Sequence, residues 1–236
     1  MNTEYAKQLL SLFFAHKLHV DEACMSCHEP SKAMMHLCSD IVKCLNMFSL
    51  EEIVEIIKPL HIPFPIEQAD IPQFSDFNLA VFRTPYLAYA SNCYNIPYKN
   101  MGYMLLQGAR KDMAYQKYGE NQSKTAAMLG LCSVMKGKVN VSYMGVYFCN
   151  LSEEDQKILL PKLLVYVPIV QNYLLAGRDA AAILCPTRRL FSSGKPMSSV
   201  ANSGYSAANV SLQVARITSP PLPPITRPSN NICLMS

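Results

Sequence analysis

Apolar residues recur at helical spacing through the first sixty positions. Met1 to Lys17 is amphipathic, and Ser31 to Met47 sets Met34, Met35, Leu37, Ile41, Val42 and Leu45 in helical register. Ser49 with Glu52 three residues on is a capping-box pattern that opens a helix over Leu50 to Leu60. Prolines 59, 63, 65 and 72 then predict an extended linker over 59–75, and residues 76–98 are aromatic and Pro-punctuated. One helix is expected from Lys99 to Tyr118, with Arg110, Lys111 and Lys117 near its end, where cations suit the helix dipole. A short helix follows from Ser123, whose hydroxyl can cap it, to Leu129, with Gly130 as its stop. A second apolar segment leads to the basic turn Met135-Lys136-Gly137-Lys138 and to the alternating strand pattern of Val139 to Tyr143. Ser152 and the acids 153–155 mark another helix start; that helix is expected to be disturbed at Pro161 and to resume through Leu163 to Tyr166. Pro168 introduces a last helix, Ile169 to Leu175; residues 186–204 read as loop and Ser206 to Ile217 as a further helix. From Ser219 onward the chain is Pro-rich, a composition that predicts disorder.

These elements predict a mainly α fold: a helical N-terminal segment followed by a winged helix-turn-helix domain with a small β wing. The expected division is an acidic helical segment over 1–60, a Pro/aromatic-rich connector over 61–98, and the winged-helix domain over 99–180. A loop with a further helix occupies 181–217, and the tail 218–236.

Charge sharpens that division. Residues 1–70 hold 5 Lys/Arg against 10 Asp/Glu, net −5, whereas residues 71–236 hold 16 against 7, net +9. Such a split points to a polyanion for the second half and a protein or intramolecular contact for the first. No stretch reaches the roughly 18 to 20 apolar residues of a membrane span. The run Leu9 to Ala15 lacks a basic start and a small-residue cleavage site, so a cytoplasmic protein with reduced cysteines and no membrane partner is expected.

Two cysteine patterns suggest chemistry. Cys24-Met25-Ser26-Cys27-His28 matches the C-x-x-C-H of haem attachment, with His28 as axial ligand; haem attachment requires export, so none is expected. Cys24, Cys27 and His28, with His36, Cys38 and Cys44, form the alternative of a zinc site, although the six-residue step from Cys38 to Cys44 does not put both on one helical face. The five histidines, at 16, 19, 28, 36 and 61, all precede the basic half. With no G-x-S-x-G, phosphate-binding loop or dinucleotide fingerprint, catalysis is not expected. Asp155-Gln156-Lys157 has a nuclease-like D-x-K spacing but opens a helix, where such carboxylates do not sit. Cys233 to Ser236 fits a prenylation box without a polybasic run beside it.

The basic groups carry the remaining expectation. Lys117, Lys124, Lys136 and Lys138 flank the expected helix–turn–helix, where they would neutralise phosphates. Asn121, Gln122 and Ser123 stand at its helix start, where an amide can read adenine edges. Arg188 and Arg189, with Lys195, add a cationic loop followed by no acid.

KYGENQSKTAAMLGLCSV and the later VNVSYMGVYFCNLSEEDQKILLPKLLVYVPIVQ resemble the winged-helix modules appended to bacterial restriction-type and transcription-regulatory proteins. Gly119, Glu120, Asn121, Lys124, Ala126, Leu129, Gly130 and Leu131 carry the first part of the likeness. Ser142, Gly145 and Leu151 to Leu160 carry the second. The likeness spans residues 117–175, about 60 of the chain's 236, and brings no catalytic residues with it. It implies a non-catalytic protein that binds double-stranded DNA, as a transcriptional regulator or the recognition component of a restriction or phage-defence system, alone, as a homodimer or with a protein partner. The alternative is a helical protein–protein adaptor.

Overall fold

The computed structural model describes residues 2–27, 29–60, 76–91, 95–106, 108 and 110–176. They lie within one compact unit, Met1–Pro186. Of the extended linker expected over 59–75, residues 59 and 60 belong to a 3-10 turn, Lys58–Leu60, and 61–75 lie outside the described residues, as do the loop and further helix expected over 181–217 and the Pro-rich tail. The described chain is mainly helical, with one small antiparallel sheet.

Helices α1 (Thr3–Phe14), α2 (Lys32–Met47) and α3 (Leu50–Ile57) form where the apolar periodicity places them. In α1 the buried residues Ala6, Leu9, Leu10, Phe13 and Phe14 make one stripe. The capping box of α3 is present: Ser49 Oγ accepts from the Glu52 N–H at 3.3 Å, and Glu52 Oε2 accepts from the Ser49 N–H at 2.7 Å. Ser31 precedes α2 but makes no side-chain capping bond.

The stripes of α1 to α3 close against two later helices, α8 (Glu153–Leu164) and α9 (Pro168–Ala176), through Leu159, Leu160, Leu163 and Tyr166. Phe13 stacks on Tyr166 with ring centroids 4.7 Å apart. Ser152 caps α8 by accepting from the Asp155 N–H at 3.1 Å. Pro161 lies inside α8 and does not interrupt it, contrary to the sequence expectation. An interior proline costs a helix about 3 kcal/mol. Burial of Leu159, Leu160 and Leu163 returns about 1.5–3 kcal/mol each, so packing outweighs the local penalty. Two side chains satisfy carbonyls at helix ends: Lys162 Nζ donates to Leu45 O at 2.6 Å and Gln171 Nε2 to Phe14 O at 3.0 Å.

Residues 79–90, read from sequence as connector, are folded and helical. A π-helical turn, Leu79–Arg83, runs into α4 (Thr84–Ala90). Ala80, Val81, Thr84, Pro85 and Ala88 are buried there. Pro85 sits where the π-helical turn passes into α4, and the proline does not break the helical segment.

Strand β1 (Ile96–Pro97), α5 (Tyr98–Leu105), α6 (Asp112–Met128), β2 (Cys132–Met135), β3 (Lys138–Val141) and α7 (Tyr143–Cys149) follow. The sheet order is β1-β3-β2, all antiparallel, with Val139 opposite both Ile96 and Val134. Lys136 and Gly137 join β2 to β3 with φ of 50° and 74°. Positive φ at both central residues is the signature of the tight turn that matches the twist of a hairpin.

Helix boundaries here differ from expectation. The helix expected over Lys99 to Tyr118 is two helices, broken after Leu105, with Gly108 at φ 89° in the connection. Helix α6 then continues through Gly119 and Ser123 to Met128, so Ser123 is a buried interior residue and not a cap. The segment after Gly130 is strand β2. Gly130, at φ 71°, does end α6 as expected. Arg110 and Lys111 consequently precede a helix instead of ending one, where the dipole disfavours them.

Gly119 lies in mid-helix because two backbones meet there. A Cβ on Gly119 would stand 1.9 Å from the carbonyl oxygen of Tyr98, and one on Gly102 would stand 2.0 Å from that of Tyr115. Helices α5 and α6 therefore cross backbone on backbone. The sheet is anchored separately by the fully buried Ser142, whose Oγ donates to Gly130 O at 2.5 Å and accepts from the Gly145 N–H at 2.8 Å. Beside it Ala23 bridges to Ser142, and the Cys24 N–H donates to Val141 O at 2.8 Å, so the α1–α2 loop is stitched to β3.

Among the described residues no single helix is long and apolar enough to cross a membrane.

The same buried face of α6 yields substitutions of opposite sign. Gly119→Ala must push two backbones apart and is expected to destabilise by about 1–3 kcal/mol or more. Ser123→Ala removes a buried hydroxyl with no hydrogen-bond partner among the described residues and is expected to be neutral or stabilising, by up to about 1 kcal/mol. Urea midpoints at unchanged m-value measure both; a loss at Ser123→Ala would show that the hydroxyl makes a stabilising hydrogen bond.

Candidate nucleic-acid interface

Helix α6 sorts the residues that the sequence brought forward. Lys117, Asn121 and Lys124 fall four and three residues apart, so they share a face. Lys117 and Lys124 are exposed and Asn121 is half-buried. Gln122 and Ser123 point the other way, with 1% and 0% of their surface exposed. Neither can reach a base edge in this fold, which removes both from the expected set. The physical reason is the phase of α6: a helix begun at Asp112 turns Gln122 and Ser123 onto the stripe that carries Tyr115, Gly119 and Ala126.

The outward face also carries Gln116 and Glu120, which the sequence reading did not single out as contacts. Glu120 Oε1 accepts from Lys124 Nζ at 2.6 Å. That hydrogen bond holds the Glu120 carboxyl below its ordinary pKa, with the charges of Lys124 and Lys117 adding to it, and holds Lys124 above its own. An exposed i,i+4 pair is worth only about 0.3–0.5 kcal/mol, so its consequence is where it keeps the Lys124 ammonium.

Tyr98 links this face to the hairpin. Its N–H donates to Gly137 O at 3.2 Å, which ties the first residue of α5 to the β2–β3 turn. Its phenol is pushed up in pKa by burial and lies within the fields of Lys124 and Glu120. Tyr98 thus meets the β2–β3 turn through its backbone and lies near Lys124 through its phenol. Lys136 and Lys138 are exposed, and neither belongs to an ion pair among the described residues. Lys136 holds a positive φ that a non-glycine side chain adopts at a cost of about 1–2 kcal/mol.

At the far end of α6, Lys99 Nζ and Tyr103 Oη both donate to Asp112, at 2.5 and 2.7 Å. Tyr103 also packs its ring on Tyr115, centroids 4.1 Å apart. Arg188 and Arg189 lie outside the described residues, so their place relative to this surface is not part of the site.

The cysteine patterns lead elsewhere. Cys24 Sγ donates to Ser26 O at 3.5 Å and Cys27 Sγ to Cys24 O at 3.6 Å, and His28 lies outside the described residues. Burial pushes the Cys27 thiol up to about 11 and Cys38 up to about 12, with the Cys24 sulfur contributing to both. A cysteine that binds zinc does so as a thiolate; among the described residues, which do not include His28, no group of three or more His, Cys, Asp or Glu is placed to hold a metal ion.

No protein-family model, no curated protein and no solved structure matches this chain.

The thiol state is measurable. With Cys27 near 11 instead of the ordinary 9, its thiolate fraction at pH 7.5 is about 100-fold lower. Alkylation at Cys27, mapped by mass spectrometry, should therefore be slower by about that factor in the native chain than in urea. Equal rates would show a thiol that burial leaves unshifted.

Proposed function

We propose that residues 84–141 form a winged helix-turn-helix that binds double-stranded DNA without catalysis, with α6 as the helix offered to the duplex and the β2–β3 hairpin as the wing. The observation that carries this reading is the order α4, β1, α5, α6, β2, turn, β3, in which β1 pairs with β3 and the turn presents Lys136 and Lys138. A helix pair followed by a basic-tipped hairpin can set a helix against bases while the wing meets the backbone.

The charge arrangement supports the same reading. Lys117 on α6 and Lys136 and Lys138 on the wing are exposed cations, and Arg110 and Lys111 stand ahead of α6 where the dipole gives them no stabilising role. The strained backbone at Lys136 also fits, since a turn chosen for stability alone would carry Asn or Gly there. Within this reading the protein serves as a transcriptional regulator or as the DNA-recognition component of a restriction or phage-defence system.

Titration of random duplex DNA at two salt concentrations tests the reading. Affinity should fall steeply with salt, and Lys136→Glu/Lys138→Glu should weaken binding to all duplexes alike. Lys136→Asn separates binding from folding: it should raise stability by about 1 kcal/mol by relieving the left-handed strain, while still weakening DNA binding. Association with a protein that is indifferent to salt, with none to DNA, would leave the adaptor reading in its place.

A further inference from the structure

The outward face of α6 carries a carboxylate at its centre, and phosphate binding does not explain it. Glu120 lies three residues after Lys117 and four before Lys124, so both cations of the face stand beside one anion. Taken together the three contribute a single net positive charge where the two lysines alone would contribute two. A carboxylate in that position repels phosphates and occupies the ammonium that would otherwise reach them. Stability does not account for it either, because an exposed i,i+4 pair contributes little. What a carboxylate can do on a helix laid in a major groove is accept a hydrogen bond from the exocyclic amine of cytosine, the base-edge donor to which Glu and Asp are matched.

We propose that Glu120 is the specificity-determining residue of the α6 face: its Oε1 restrains Lys124 from phosphate contact and its other carboxylate oxygen reads a cytosine amino group. This rests on the DNA-binding reading above. Glu120 is positioned for the role by geometry already described. The close crossing at Gly102 and Gly119 fixes the rotation of α6. The Lys124 bond, formed in the favourable order of Glu before Lys, fixes the side chain. Its side chain is 26% exposed, so the carboxylate is held at the surface without being free to sweep it. Phosphate contacts then fall to Lys117, Lys136 and Lys138, and the pair at Glu120 and Lys124 suppresses binding to duplexes that lack the matching base.

The experiment is a selection from a randomised duplex pool with the full chain and with Glu120→Gln, followed by titration of the selected and random duplexes over a salt series. The wild-type chain is expected to enrich a cytosine at one position. Glu120→Gln should lose that preference alone, by about tenfold against the other bases. It should also bind random duplex about 2-fold more tightly, with a salt slope steeper by up to about one, as the released Lys124 gains a phosphate. Glu120→Gln/Lys124→Gln should return the slope to its original value, because no ammonium is left to release. An unchanged thermal midpoint for Glu120→Gln confirms that folding is not the cause.

An unaltered base preference in Glu120→Gln, or an unaltered slope and random-duplex affinity, overturns the proposal while leaving DNA binding standing. So does wild-type binding that enriches no base. Failure of the wild-type chain to bind any duplex overturns the DNA-binding reading itself, and this assignment with it.

Discussion

Helices α5 and α6 cross with backbone against backbone, Gly102 facing the carbonyl of Tyr115 and Gly119 that of Tyr98 at separations that admit no side chain. Close packing of this kind fixes more than a distance. It sets the rotation of α6 about its axis, since only the stripe containing Gly119 can face α5, and so decides which residues face outward. Tyr115, Gln122, Ser123 and Ala126 go inward with Gly119, while Gln116, Lys117, Glu120 and Lys124 go outward. The Tyr98 carbonyl that meets Gly119 belongs to the residue whose N–H reaches the hairpin turn at Gly137. One residue therefore sets both the helix and the turn, and the proposed DNA face is a product of that contact.

The same crossing explains what the sequence disclosed and what it concealed. The apolar stripes of α1 to α3, the capping box at Ser49, the Ser152 cap and the Gly130 stop are local signals, and each is found where it was read. The reading failed where a residue's reason was tertiary. Gly119 looks like an interruption because glycine weakens a helix by about 1 kcal/mol. A helix that starts at Ser123 sets Gln122 and Ser123 at an exposed cap, whereas α6 runs through both and buries them. The actual break comes at Gly108, whose φ of 89° suits the connection between α5 and α6. Pro161 misled in the same way: its local cost is real, but three buried leucines outweigh it. Charge alone places Lys117, Lys124, Lys136 and Lys138 at the surface, and all four are exposed; the pairing of Glu120 with Lys124 depends on a helix that runs unbroken through both.

The acidic first part of the chain is also better understood from contacts than from composition. Its net charge suggested a separate segment, yet the loop after α1 is stitched to β3 by the Ala23–Ser142 bridge and the Cys24–Val141 hydrogen bond. Ser142, fully buried, binds the end of α6 and the start of α7 from the same position. The N-terminal helices thus brace the base of the hairpin whose tip carries Lys136 and Lys138. The N-terminal helices and the hairpin that bears Lys136 and Lys138 therefore belong to one compact unit, Met1–Pro186, and the charge split along the sequence does not mark a structural boundary. Packing, not composition, decides where the cations are presented: the stitched base of the hairpin holds its tip, and with it Lys136 and Lys138, outward.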